Sequence, residues 1–135
     1  MPNRDVHVKW GVTSGVVATA LTAIINDERL TMMEWFARLS GAAAAGYIGA
    51  RLPDIIDPPT NPNHRSWGHG VLPNAIAYSA VIKTASNHRK KLSQEASADK
   101  LINSFAIGAM DGFVGGHLSH LALDARTPKS LPLVS

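Results

Sequence analysis

The hydrophobic and polar positions divide the chain into four apolar stretches, around residues 10–25, 35–48, 70–82 and 101–123, separated by polar breaks. The first, GVTSGVVATALTAII after Trp10, is apolar nearly all round and rich in small residues, which let helices approach closely. The polar run Asn26-Asp27-Glu28-Arg29 ends it. Thr31 with Glu34 three residues on has the capping-box spacing, so a second helix is expected to start there and to run through Trp35 and the Ala42–Ala45 run toward Tyr47 and Ile48. A third is expected from Leu72 or Asn74 to about Ser86, and a fourth from near Ala98 to Thr127-Pro128. A bilayer span needs roughly 20 mostly apolar residues. These stretches are near that length or below it, and the longest is interrupted by Asp111, His117 and His120. The pattern predicts an all-α fold, a compact bundle of about four to five helices, with short or polar membrane helices as the alternative.

The connecting segments are uneven. Residues 1–9 form a polar lead-in that contains His7. Arg51 to Pro73 holds Pro53, Pro58, Pro59, Pro62 and Pro73, which argue against a long helix or a central strand and predict a long Pro-rich loop. A loop of that length in a small domain is more often functional or disordered than idle. It carries Asp54, Asp57, His64, Arg65, Trp67 and His69. Asn87 to Lys100 is polar and includes His88-Arg89-Lys90-Lys91, read as a solvated helix end, with contact to acidic lipid or nucleic acid as the alternative. Gly41, Gly46 and Gly49 fall within the second helix, where each costs stability unless a neighbour packs on it.

Composition narrows the chemistry. The 135 residues suit a single domain, 1–135, with a real core. There is no cysteine, so neither disulfides nor thiolate metal sites are available, and any metal must be held by His, Asp or Glu. A formal net charge of +3 permits contact with an anionic membrane surface but makes nucleic acid an unlikely partner. Met1 to Lys9 lacks the pattern of a secretory signal, so a secreted protein is not expected.

Within this frame the histidines and aspartates cluster. On a helix, His117, His120 and Asp124 share one face beside apolar Leu118, Leu121, Ala122 and Leu123. The Pro-rich segment adds Asp54-x-x-Asp57 and His64-Arg65-x-x-x-His69, and the N-terminus adds His7. Five of the six histidines fall in these clusters. Imidazole and carboxylate suit zinc, manganese or iron. Eight candidates exceed the needs of one ion, so either two ions share bridging carboxylates or some residues support the ligands or act as bases. Each residue also has a plain structural role open to it. Asp54 and Asp57 suit turns, His69 a surface loop, His7 a tail, and His120 with Asp124 a hydrogen-bonded core pair.

At these residues the chain resembles a known family. A His near the start, a Leu-Pro-Asp-(Ile)-Asp segment, His-Arg-x-x-x-His, and a terminal Gly-x-x-Ser-His-x-x-x-Asp-x-x-Thr-Pro-Lys look like the YdjM-like membrane-bound metal-dependent hydrolases of bacteria. The matching segments are His7 to Gly15, Gly49 to Gly70 and Gly116 to Leu133. More distantly the chain is similar to zinc-dependent phospholipase C. The resemblance implies a helical hydrolase with a divalent metal, most often zinc, as one or two ions. Its polar positions fall here on His7, Asp54, His64, His69, His120 and Asp124. Two departures stand out: an extra isoleucine separates Asp54 from Asp57, and Gly68-His69-Gly70 replaces the usual Thr-His-Ser.

The resemblance implies a metal-dependent hydrolase, and the more distant similarity to phospholipase C implies a small-molecule or lipid phosphoester as its substrate. Asp57 (or Asp54) would be general base and Arg65 would neutralise phosphoryl charge. The chain would be bacterial or phage-encoded, and inner-membrane-associated or cytoplasmic. The alternative is a non-catalytic assembly protein. Its cluster would be a structural metal site or polar core, and its small-residue faces, Gly41–Gly49 and Gly108–Gly116, would pack on other copies, as a homo-oligomer, or on membrane helices.

Overall fold

The computed structural model describes residues 4–58, 60 and 69–126, with Ser93 as backbone only. Four α-helices account for nearly all of them: α1 (Arg4–Ile25), α2 (Met32–Ile56), α3 (Val71–Lys91) and α4 (Ser97–Ala125), with a short 3-10 turn, Leu92–Gln94, between the last two. No strand occurs among the described residues. The all-α bundle expected from the pattern is present.

The helices are longer than their apolar stretches. α1 begins at Arg4, so His7 lies on the helix and not in a lead-in. α2 starts at the predicted capping box, with Thr31 Oγ1 accepting from the Glu34 amide at 3.2 Å and Glu34 accepting from the Thr31 amide at 2.7 Å. It then continues through Pro53 to Ile56, so the Pro-rich segment begins later than expected and Asp54 is helical. Pro53 is tolerated in the last turn, where its carbonyl still accepts from the Asp57 amide at 2.8 Å. Pro73 sits in the first turn of α3, where a missing N–H costs nothing. The remainder of the expected loop, residues 59 and 61–68, lies outside the described residues.

A four-residue period sets the packing. The buried residues of α1 are His7, Gly11, Gly15, Thr19 and Ala23. On α2 the matching row is Arg38, Ala42, Gly46 and Ala50, and on α4 it is Ser104, Gly108, Gly112, Gly116, His120 and Asp124. Such rows of small residues let backbones meet directly. A methyl group built on Gly108 would overlap the Arg38 carbonyl, one on Gly112 the Ala42 backbone, and one on Gly116 the Gly46 backbone. Residue numbers rise together across that seam, so α2 and α4 run parallel. α1 runs against both, with Gly11 meeting Ala50 and Gly15 meeting Ala42 and Gly112. α3 lies outside this trio against α4, Tyr78 beside His117 and His88 beside Asn103, again antiparallel. The topology is up-down-up-down. The glycine faces of α2 and α4 are thus used within the chain, against each other and α1, and need no other copy to cover them.

The seam has two polar ends. At one, Arg38 donates to Glu28 at 2.9 Å and Arg89 donates to Glu28 at 2.8 Å; Arg89 also pairs with Asp111, which accepts from Thr22 at 3.2 Å. Arg89 and His88, expected on a solvated helix end, are instead turned inward, since α3 runs on to Lys91 and carries them onto Glu28, Asp111 and Asn103. At the other end lie the histidines and aspartates.

Candidate metal centre

His120 is the pivot of that second end. It is fully buried on α4, and its Nδ1 lies 2.7 Å from the carbonyl oxygen of Ala50 on α2. A carbonyl only accepts, so Nδ1 carries the proton and the lone pair of the neutral ring sits on Nε2. Nε2 has no hydrogen-bond partner among the described residues. It faces Asp124 Oδ2 at 3.4 Å and Asp54 Oδ1 at 3.6 Å. Three electron-rich atoms thus converge at distances too long for good hydrogen bonds.

His69 joins them from the residue before the Gly70 cap of α3. Its Nε2 lies 3.3 Å from Asp124 Oδ2 and 3.8 Å from Asp54 Oδ1, and its ring is fully buried. Its Nδ1, on the opposite side of the ring, is 3.7 Å from Asp57 Oδ2. Asn74 steadies this approach, donating from Nδ2 to the Gly70 carbonyl at 2.7 Å. His7 completes the group from α1, with Nε2 3.6 Å from Asp124 Oδ1 and its ring centroid 4.1 Å from that of His120.

Two sets therefore have donor atoms within 4.8 Å of one another: His7, His120 and Asp124, and Asp54, His69 and His120. The donor set passes a simple fit test. Ligands about 2.0–2.2 Å from a tetrahedral ion stand roughly 3.3–3.6 Å apart. The imidazole-to-carboxylate separations of His69 and His120 from Asp54 and Asp124 run from 3.3 to 3.8 Å. A cation also answers two needs of the site, partnering the buried Nε2 of His120 and offsetting the repulsion between two carboxylates. Metal-bound histidines commonly rest their other ring nitrogen on a carbonyl or carboxylate, and here the Ala50 carbonyl lies behind His120 and the Asp57 carboxylate behind His69. These buried His and Asp groups could hold a metal ion. Asp54, whose side chain is 35% exposed, marks the side of the cluster that opens outward.

The structure brings His7, Asp54, His69, His120 and Asp124 together and sets Asp57 behind His69. His64 and Arg65 lie outside the described residues. His117 does not join the cluster. It is buried toward α3, edge-on to Tyr78 with ring centroids 5.5 Å apart. Two participants were not foreseen: the Ala50 carbonyl, and the Asn74 amide that holds the turn before α3. The four-residue period was the available signal for Ala50, since Arg38, Ala42, Gly46 and Ala50 step along α2 in register with Gly108, Gly112, Gly116 and His120. Comparison with protein-family models, curated proteins and solved structures found no match.

Proposed function

We propose that the chain is a metal-dependent hydrolase of the YdjM-like kind, acting on a phosphoester, with lipid esters included, through one or two zinc ions. The observation that carries this reading is His120, buried, fixed in tautomer by Ala50, and aiming an unpartnered Nε2 at two carboxylates. A bound divalent ion supplies Lewis acidity and a water of lowered pKa. His69, His120, Asp54 and Asp124 would hold it, with His7 on the second oxygen of Asp124. Asp54 lies on the open side, where water and substrate arrive. Asp57 would orient His69 or take the proton from water, and Arg65 would neutralise charge on a phosphoryl oxygen.

Membrane association belongs to the same reading. α1 is long and apolar enough to cross a bilayer by length and composition. The test of activity is turnover of bis(p-nitrophenyl) phosphate by zinc- or manganese-loaded protein. Hydrolysis that disappears on chelation, returns with metal and is absent in His120→Ala supports the reading. Metal-loaded protein without turnover on any phosphoester contradicts it.

One observation favours a second reading. His69, His120 and Asp124 are all within 1% of full burial, as in a closed structural site. There an ion, or the polar core alone, would only pin α1, α2 and α4, in a single chain or a homo-oligomer. Metal bound tightly without catalysis is its expected signature.

A further inference from the structure

The metal end of the bundle carries a concavity that the clustered histidines and aspartates do not use. It lies in the groove between α1 and α4, holds about 240 Å3 and is lined by Trp10, Ser14, Ser119, Ala122, Leu123 and Arg126. The spacing of small and large residues makes it. Trp10 and Ser14 are one turn apart on α1, and Ser119, Ala122 and Arg126 fall on one face of α4. At the floor the two backbones touch, since a methyl group built on Gly115 would meet the Ser14 carbonyl and the Ala18 side chain. Beyond that contact Ser14, Ser119 and Ala122 are too small to fill the space between the helices, and Trp10 and Leu123 wall it.

The lining selects its occupant. Trp10 is 56% exposed, which leaves much of a broad indole open to a ligand. Arg126 is exposed, and its guanidinium has no hydrogen-bond or ion-pair partner among the described residues. No carboxylate lines the groove to compete for it. Ser119 donates its hydroxyl proton to the Gly116 carbonyl at 2.8 Å, whereas the Ser14 hydroxyl has no partner among the described residues. An apolar trough with an aromatic wall and one cation at its rim fits an organic anion with a flat apolar body. A bare inorganic anion would forgo the trough, and an uncharged molecule would forgo Arg126. The volume is below the roughly 300–1,000 Å3 of sites for drug-sized ligands, so the groove takes one ring system and not a large ligand whole.

The groove adjoins the metal centre. Trp10 is three residues from His7 on α1, Leu123 directly precedes Asp124 on α4, and Arg126 follows it by two. Residues three apart on a helix stand about 5–6 Å from one another at Cβ. We propose that the groove holds the aromatic half of the substrate, so that the substrate class is an aryl phosphoester. The ring packs on Trp10 and Leu123, and Arg126 pairs with a phosphoryl oxygen on the His7–Asp124 side. This rests on the phosphoesterase reading and narrows it, since an aromatic body matches the indole better than an alkyl chain does. It also gives Arg126 the charge-neutralising role expected of Arg65.

The test is binding, read by isothermal titration calorimetry with 4-nitrobenzylphosphonate, an aryl probe that cannot be hydrolysed as an ester. It is titrated into chelator-treated and zinc-loaded protein, beside inorganic phosphate and octylphosphonate. The metal-free wild type is expected to bind the aryl probe roughly tenfold more tightly than either comparison anion, and zinc should tighten it further. Trp10→Ala and Arg126→Gln should each weaken the metal-free affinity by roughly tenfold, while zinc stoichiometry stays at the wild-type value and Trp10→Phe recovers most of the loss. Both side chains are exposed, so the variants should keep wild-type helicity by circular dichroism. No binding to metal-free protein, or binding that neither variant weakens, overturns the groove as a site whether or not zinc is bound. Octylphosphonate bound as tightly as the aryl probe overturns the aromatic assignment. Probe affinity that zinc leaves unchanged overturns the groove's part in the substrate site. A chain that takes up no zinc yet binds the probe through Trp10 and Arg126 overturns the metal-dependent reading and keeps the groove.

Discussion

The two ends of the glycine seam are built from the same kinds of material and solve opposite problems. At the Glu28 end, two guanidinium groups meet two carboxylates in direct hydrogen bonds, those to Glu28 at 2.8–2.9 Å, and charges cancel within the chain. At the His120 end, three histidines and two aspartates face one another at 3.3–3.8 Å, too far apart for good hydrogen bonds between imidazole and carboxylate. The first end is closed and serves stability. The second is held apart by the same backbone seam, and that separation is what a cation would use.

The comparison breaks most completely when the seam itself is broken. Gly112→Leu places a side chain into the Ala42 backbone, which cannot move without separating both ends. The expected loss is at least about 3 kcal/mol, enough to abolish a cooperative thermal transition. Circular dichroism on heating checks this. Next in size, Arg89→Met leaves Glu28 and Asp111 short of a buried partner. It should cost about 3 kcal/mol in stability while metal stoichiometry stays at the wild-type value. Loss of metal in that variant would mean that the two ends are not independent.

Asp124→Asn sharpens the contrast from the other side. Asp124 is 1% exposed and its oxygens face His7, His69 and His120. Its neutralisation should abolish metal binding, yet change metal-free stability by no more than about 1 kcal/mol, because it also removes a carboxylate that repels Asp54. Chemical denaturation with and without zinc separates the two effects. Asn74→Ala removes the hydrogen bond to the Gly70 carbonyl beside His69. It should cost about 1 kcal/mol in stability and weaken metal affinity by roughly tenfold, read by competition with a chromophoric chelator.

The smallest effect is the acid response of the closed end. Burial acts to raise the Glu28 carboxyl, but hydrogen bonds from Arg38 and Arg89 outweigh it and hold the group below the usual carboxylate range. A depressed folded value means that this stabilisation is complete above the unfolded value and lost as pH falls through the folded one. Glu28→Gln should therefore flatten the decline in stability below the ordinary glutamate range. An unchanged acid limb would contradict the assignment.

The bundle was legible in the sequence because its signals are local. Apolar stretches, the Thr31–Glu34 box and the turn at Asn26–Arg29 each mark an element without reference to the rest of the chain. The ends were harder. Pro53 reads as a helix breaker, but α2 runs on for about one turn beyond it to Ile56, so Asp54 rides on the helix and not in a loop. Arg89 reads as one charge in a basic run, and only the long-range approach of Glu28 and Asp111 turns it inward. His117, His120 and Asp124 stand out at helical spacing, and His7 and His69 only as further residues of the same chemical type. Which of them meet, and that His117 turns away toward Tyr78, depended on the seam register, and that is tertiary.

Metal content bears most directly on the central claim. Elemental analysis of purified protein reloaded with zinc or manganese, beside His120→Ala and Asp124→Ala, should give about one or two ions per chain in the wild type and none in either variant. A wild-type chain that takes up no ion after reloading, or variants that bind as much as the wild type, would leave a polar core and no metal centre.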